Sequence, residues 1–256
     1  MSRVFDAYAA YYDLLYKDKD YVGEAQFIRD LLSKHGVGSG NILELGCGTG
    51  KHAEHLVRLG YGVHGVDMSP AMVDSANARK PAEFCDRLTF EVGDARTVKV
   101  AGEFNAVVSL FHVASYQTRN DDISAMFWTA ASHLKVGGLF IFDCWYGPAV
   151  LTDRPTVRVK RIEGDTFDVL RIAEPAMHPN ENVVDVNYTV QVTRKPDGQV
   201  SQFQETHRMR YLFAPEILLY LELSGMRQVS MVEWLTGAEA GFETWGVTFV
   251  AEKGDK

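Results

Sequence analysis

A strand-like run enters a glycine-rich turn at Ile42-Leu43-Glu44-Leu45-Gly46-Cys47-Gly48-Thr49-Gly50. Glycines permit a tight turn and let a ligand lie against bare main chain, while the helix that follows offers unpaired N–H groups to an anion. Two carboxylates end the next two apolar runs: Asp67, 21 residues after Gly46, and Asp94 in Gly93-Asp94-Ala95. A carboxylate at the end of the second strand can accept a pair of ribose-type hydroxyls. After the fourth run comes Leu110-Phe111-His112-Val113-Ala114-Ser115-Tyr116, where His112 could act as a general base or orient an amine. Further on, Arg154-Pro155-Thr156-Val157-Arg158-Val159-Lys160-Arg161 puts Arg158 and Lys160 on one face of a strand. That face could bind a diphosphate, or it could be a solvated outer surface. Arg208 and Arg210 share a face with the same two readings.

Bringing these residues together requires strands that end on one edge. Short apolar strands are predicted at Asn41–Leu45, Gly62–Val66, Leu88–Val92, Ala106–Leu110 and Leu139–Phe142. A helix carrying Ala53, Leu56 and Val57 joins the first two and closes at Gly60. The next begins with Ser69 as N-cap and Pro70 at the first helical position. A third shows Ile123, Met126, Phe127, Ala130, Ala131 and Leu134 at helical spacing and ends before Gly137-Gly138. Such alternation implies right-handed crossovers and a parallel sheet covered on both faces. From 156 to 213 the pattern changes to strand alternation, with Lys195-Pro196-Asp197-Gly198 as a hairpin turn. A helix near Pro215 and strands at Gln228–Trp234 and Trp245–Glu252 then return to the main sheet.

The expected architecture is α/β: a Rossmann-like doubly wound, mostly parallel seven-stranded sheet with an inserted antiparallel sheet and an N-terminal helical lid. Residues 1–40 would form the lid, 41–153 and 214–256 the main sheet, and 154–213 the insertion. The lid is rich in tyrosine, with Tyr8, Tyr11, Tyr12, Tyr16 and Tyr21 among the chain's 11.

At 256 residues, 46% hydrophobic and 23% charged, the chain has the composition of a globular domain, not of a disordered or collagen-like one. A net charge of −8 without a dense Lys/Arg run gives no electrostatic footprint for nucleic acid. Cys47, Cys85 and Cys144 form no C-x-x-C pair, so reduced thiols are expected rather than a metal site or redox dithiol. No run approaches the roughly 18 apolar residues of a membrane span, and the first residues lack the apolar stretch of a signal peptide. A soluble cytoplasmic protein, with a homodimer as an open assembly, is the expectation.

The dinucleotide fingerprint G-x-G-x-x-G fails here because its last position is Lys51. The pattern present, E-x-G-x-G-x-G, resembles motif I of the class I S-adenosylmethionine-dependent methyltransferases. The resemblance implies S-adenosyl-L-methionine as cofactor, with its carboxylate at the helix start and its cationic groups near carbonyls and Glu44. It implies that Gly46, Cys47 and Gly48 cradle the cofactor, that Asp67 takes the ribose, and that Asp94 takes the adenine amine. Met68, Ala95, Leu110 and Tyr11 complete the expected cofactor contacts. Methyl transfer from a sulfonium is an in-line displacement that needs alignment and proton removal but no metal.

The tyrosine-rich start and the inserted sheet also resemble the bacterial sugar methyltransferases, including aminosugar N-methyltransferases, whose Y-D-x-x-Y segment is Tyr12-Asp13-Leu14-Leu15-Tyr16 here. By that resemblance Tyr16 approaches the reacting group. His112 is expected beside it, and Tyr116, Arg158 and Lys160 are the further residues expected to bind a small-molecule acceptor, a sugar or aminosugar. A nicotinamide-dependent oxidoreductase and a non-catalytic partner subunit that keeps the cofactor pocket are the alternatives. A nucleic-acid acceptor and a membrane partner are not expected.

Overall fold

A parallel array forms the centre of the structure, a computed structural model that describes residues 15–255. Tyr8, Tyr11 and Tyr12, with most of the Y-D-x-x-Y segment, lie outside the described residues. Strands β1 (Asn41–Leu45), β2 (Gly62–Asp67), β3 (Leu88–Val92), β4 (Phe104–Ser109) and β5 (Leu134–Tyr146) are laid side by side in the order β3-β2-β1-β4-β5, all parallel. Helices α1 (Tyr21–Lys34), α2 (Lys51–Arg58), α3 (Pro70–Arg79) and α4 (Asn120–His133) cover the two faces. The strand order reverses between β1 and β4, and ligands of open α/β sheets bind at such a reversal, beyond the carboxyl ends of the strands.

The α3 start has the expected cap: Ser69 Oγ accepts from the Met72 N–H at 3.4 Å, with Pro70 at the first helical position. One boundary differs from expectation. β5 begins at Leu134, immediately after α4, and takes in Gly137-Gly138. Its register against β4 jumps from Phe104↔Leu134 to Ala106↔Leu139, so residues 135–138 bulge out of the ladder, with Gly137 at φ 74°.

Four further strands, β6 (Arg158–Glu163), β7 (Phe167–His178), β8 (Val183–Arg194) and β9 (Val200–Leu212), follow the short helix α5 (Gly147–Thr152) as an antiparallel meander. β7 runs past Pro175, where a strand is not expected. Its pairing with β6 ends at Ala173, so the missing N–H falls on an edge and breaks no ladder bond on that side. The end of β9 joins the end of β5 through Trp145↔Tyr211 and Tyr146↔Leu212. Finally α6 (Ala214–Leu223) leads to β10 (Met226–Glu233) and β11 (Gly246–Lys253), antiparallel to each other, with β11 antiparallel to β5.

Aromatic packing stiffens one face of the sheet, where Phe127, Phe140, Phe142 and Phe249 meet at centroid distances of 4.7–5.4 Å. The inserted sheet buries Ile162, Val169, Val190 and Val192 against Leu15 and Met72 of α3. That contact holds the meander over the carboxyl edge of the main sheet. Among the described residues no helix is long and apolar enough to cross a membrane.

Candidate functional site

The glycine turn is pinned from behind. After β1 ends at Leu45, the N–H groups of Gly46 and Cys47 both donate to the Val66 carbonyl, at 2.8 and 3.0 Å. Gly46 sits at φ 79° and Gly48 at φ 53°, in the left-handed region that a side chain disfavours. The two positions differ in surroundings: a Cβ on Gly46 would stand 2.5 Å from Val113, while one on Gly48 would meet nothing within 4 Å. The turn is thus closed by protein at Gly46 and opens at Gly48 onto a cavity of about 370 Å³.

At one end this cavity is lined by Gly46, Cys47, Gly48, Asp67 and Met68, and then by Asp94, Ala95 and Leu110. Asp67 accepts the Gly48 N–H through Oδ2 and the Ser69 N–H through Oδ1, each at 2.9 Å. Each oxygen keeps further acceptor capacity. Burial pushes the Asp67 carboxyl up, against those two hydrogen bonds. Asp94 differs. Arg96 grips it through Nε and Nη2 at 2.5–3.1 Å and itself pairs with Asp122 at 2.7 Å. The Arg96 guanidinium holds the Asp94 carboxyl below the usual range.

Glu44 does not line the cavity. It lies behind the turn, 1% exposed, with its Oε1 3.9 Å from His52 Nδ1. His52 Nε2 is 2.5 Å from Glu24, which also pairs with Lys19. Burial, with the nearby Asp67 charge adding to it, raises Glu44 from 4.5 to about 8. An acid whose pKa is higher folded than unfolded keeps its proton in the fold and loses it on unfolding, so its contribution falls as pH rises through that interval. Glu44→Gln is therefore expected to gain stability relative to the parent between about pH 5 and pH 8. Urea midpoints of the ligand-free proteins measure this; a parent–variant difference constant with pH would show Glu44 ionised in the fold.

The other end is built from the turn after β4 and from the inserted antiparallel sheet, which forms a roof over it. Phe111 and His112 both adopt φ 64°, uncommon for residues with side chains. The buried carboxylate of Asp143, at the end of β5, accepts the His112 N–H at 3.1 Å and lies 2.6 Å from its Nδ1. Nδ1 is thereby engaged, which leaves Nε2 as the ring nitrogen available to the cavity His112 lines. Tyr16 and Tyr116 line the same space. The Tyr16 ring stands edge-on to Phe111 at 5.0 Å, and its hydroxyl accepts from Arg171 Nη1 at 3.4 Å. The roof contributes Val186, Tyr188, His207 and Met209.

Arg158 and Lys160 do not line this cavity. Cross-strand pairing puts Lys160 opposite Arg171, and Ile162 of the same strand face packs in the buried cluster, so the face points inward. Lys160 donates to the Leu15 carbonyl at 2.7 Å, whereas Arg158 is exposed. Arg208 pairs with Glu181, and Arg210 is buried against Asn120 and Glu216. Tyr11 lies outside the described residues.

Sequence reading did not single out Asp143, Arg96, Glu205, His207 or Tyr188. Asp143 had a signal: one carboxylate closing the apolar run Leu139–Phe142 at a strand's carboxyl end. Glu205, His207 and Met209 alternate along β9, but only the roof's orientation makes that face an interior one. Among the described residues, no three His, Cys, Asp or Glu side chains stand together as metal ligands.

Comparison with known proteins bears on what fills this space. Residues 42–138 match a family described as a methyltransferase domain. The chain is 29% identical to the dTDP-3-amino-3,4,6-trideoxy-alpha-D-glucopyranose N,N-dimethyltransferase of Streptomyces venezuelae, over 91% of this chain and 94% of that one. It is 25% identical to the dTDP-3-amino-3,6-dideoxy-alpha-D-glucopyranose N,N-dimethyltransferase of Streptomyces fradiae, over 91% and 87%. A solved S-adenosylmethionine-dependent methyltransferase from Clostridium acetobutylicum superposes with a TM-score of 0.80 at 21% identity, covering 98% of this chain and 99% of that one. That likeness carries the fold, an α/β arrangement with a mostly parallel central sheet and added antiparallel strands.

Proposed function

We propose that the chain is a class I S-adenosylmethionine-dependent methyltransferase and that it methylates the amino nitrogen of a sugar carried on a nucleoside diphosphate. The observation that carries the acceptor reading is likeness over 91% of the chain to two dTDP-aminosugar N,N-dimethyltransferases. The relatives' chemistry favours group transfer over the nicotinamide-linked and non-catalytic readings.

The donor side fits S-adenosyl-L-methionine. The open space at Gly48 lets the ligand approach main chain, the start of α2 suits its carboxylate, and Asp67 retains acceptor capacity for two ribose hydroxyls. When bound, this cofactor supplies an electrophilic methyl group on a sulfonium. Met68, Ala95 and Leu110 would wall the adenine, and Asp94 would receive its amine with Arg96 fixing the carboxylate. Glu44, protonated and behind the turn, would support that turn rather than touch the ligand.

On the acceptor side the chain's own residues exclude water, orient the nitrogen and accept its protons. His112 Nε2 would take one N–H, with Asp143 holding the ring, while Tyr16 would cover the nitrogen from the N-terminal lid. Arg158 is the exposed cation on the roof's inward face and the one we assign to the diphosphate, since Lys160 already anchors Leu15. The seven strands β3-β2-β1-β4-β5-β11-β10 would form the cofactor-binding part, and 154–213 the acceptor cap.

Purified protein is expected to bind S-adenosylmethionine by calorimetry and to add one and then two methyl groups, by mass spectrometry, to a dTDP-3-aminosugar. Cofactor binding without methylation of any amino sugar nucleotide would refute the acceptor class. Absence of cofactor binding would remove the whole reading.

A further inference from the structure

We propose that Tyr116, His207 and Glu205 form a proton relay that takes a proton from the acceptor's ammonium group, a role that rests on the aminosugar reading. Tyr116 Oη and His207 Nδ1 are 2.6 Å apart, and His207 Nε2 stands 3.2 Å from Glu205 Oε1. Tyr116 comes from the 3-10 turn after β4; the other two come from the inner face of β9, with His207 91 residues from Tyr116. His207 and Glu205 are each under a tenth exposed, while Tyr116 and His207 both line the cavity.

The arrangement sets direction. A carboxylate at Nε2 favours the proton there, which leaves Nδ1 to accept the Tyr116 O–H. On this reading the phenol oxygen is the relay's contact with the acceptor, alongside His112 in the same cavity. Burial pushes the Tyr116 phenol well up, so it passes a proton on instead of resting as phenolate. Among the described residues, the neighbours include Tyr188, edge-on to His207 at 5.0 Å, Arg171 over the Tyr188 ring at 4.9 Å, and Tyr16, which bonds Arg171. Glu205 is, among the described residues, the carboxyl side chain against the imidazole, and Arg171 lies one ring away.

An amine at neutral pH arrives largely as ammonium, whose nitrogen has no lone pair to attack with. In the relay an N–H bond breaks and its proton joins Tyr116 Oη as the phenol's own proton moves to His207 Nδ1. The electron pair of the broken bond stays on nitrogen as the nucleophilic lone pair. The imidazolium faces Glu205, and the proton returns by the same path to water after product leaves. His112 and Tyr116 then serve different N–H groups of one tetrahedral nitrogen. On this assignment Tyr116 is a catalytic residue beside His112, and His207 and Glu205 are positioning residues that act through it.

Two measurements test the relay. With a dTDP-3-aminosugar, Tyr116→Phe and His207→Gln are expected to lower kcat/KM about 10²-fold near pH 7 and to recover to within about threefold near pH 9.5, where the free amine no longer needs the base. Glu205→Gln should shift the acid limb in the same direction by a smaller amount, with cofactor affinity unchanged in all three. A pH profile parallel to the parent's would reduce the three to packing residues. Independently, nitrogen-15 histidine spectra of the acceptor-free protein should show His207 protonated on Nε2, with Glu205→Gln weakening that preference. A proton on Nδ1, pointing at Tyr116, overturns the relay whether or not any aminosugar is methylated; absence of methylation by the parent overturns the acceptor reading instead.

Discussion

His112→Ala is expected to lower turnover about 10²–10⁴-fold while leaving S-adenosylmethionine affinity nearly unchanged. The reason is the Asp143 contact: a buried carboxylate engages both the His112 N–H and its Nδ1, fixing which ring nitrogen meets the acceptor. Asp143→Asn should approach the same loss, because an amide can present a donor where the imidazole N–H needs an acceptor. Unlike the relay variants, neither should recover at alkaline pH, since orientation is lost along with basicity. Single-turnover rates across pH measure this. A drop under about threefold in His112→Ala would leave it a packing residue of the strained turn.

The second large effect falls on the cofactor. Asp67→Ala removes a carboxylate assigned to two hydroxyls, and charge-assisted hydrogen bonds contribute about 1.5–3 kcal/mol each. The dissociation constant for S-adenosylmethionine should therefore rise about 10²–10⁴-fold. Asp94→Ala should cost only about tenfold, because its oxygens already accept from Arg96 and have less to offer a ligand. Calorimetry on both variants gives the ranking. Equal losses, or a larger one at Asp94, would contradict the assignment of the two carboxylates.

Local chemistry decided much of this protein before any tertiary contact formed. A turn that needs φ above zero calls for glycine, a helix start calls for Ser69-Pro70, and apolar runs of strand length alternate with helical periodicity. Those signals lie within a few residues of one another, so the strand–turn–helix unit and the carboxylates at the strand ends could be read directly. Side-chain alternation likewise put Arg158 and Lys160 on one face. It could not say which face the protein would cover, because that depends on Leu15 and Met72 packing from elsewhere in the chain.

What only the tertiary structure decided are the partners. Asp143 meets His112 across the β4–β5 pairing, Asp122 of α4 reaches Arg96, and β9 brings His207 and Glu205 to Tyr116. Each is a short polar contact between residues whose own neighbours in the chain carry no trace of it. A hydrogen bond depends on atoms coming within about 3 Å, and the packing of separate elements, not the composition of either segment, sets that distance.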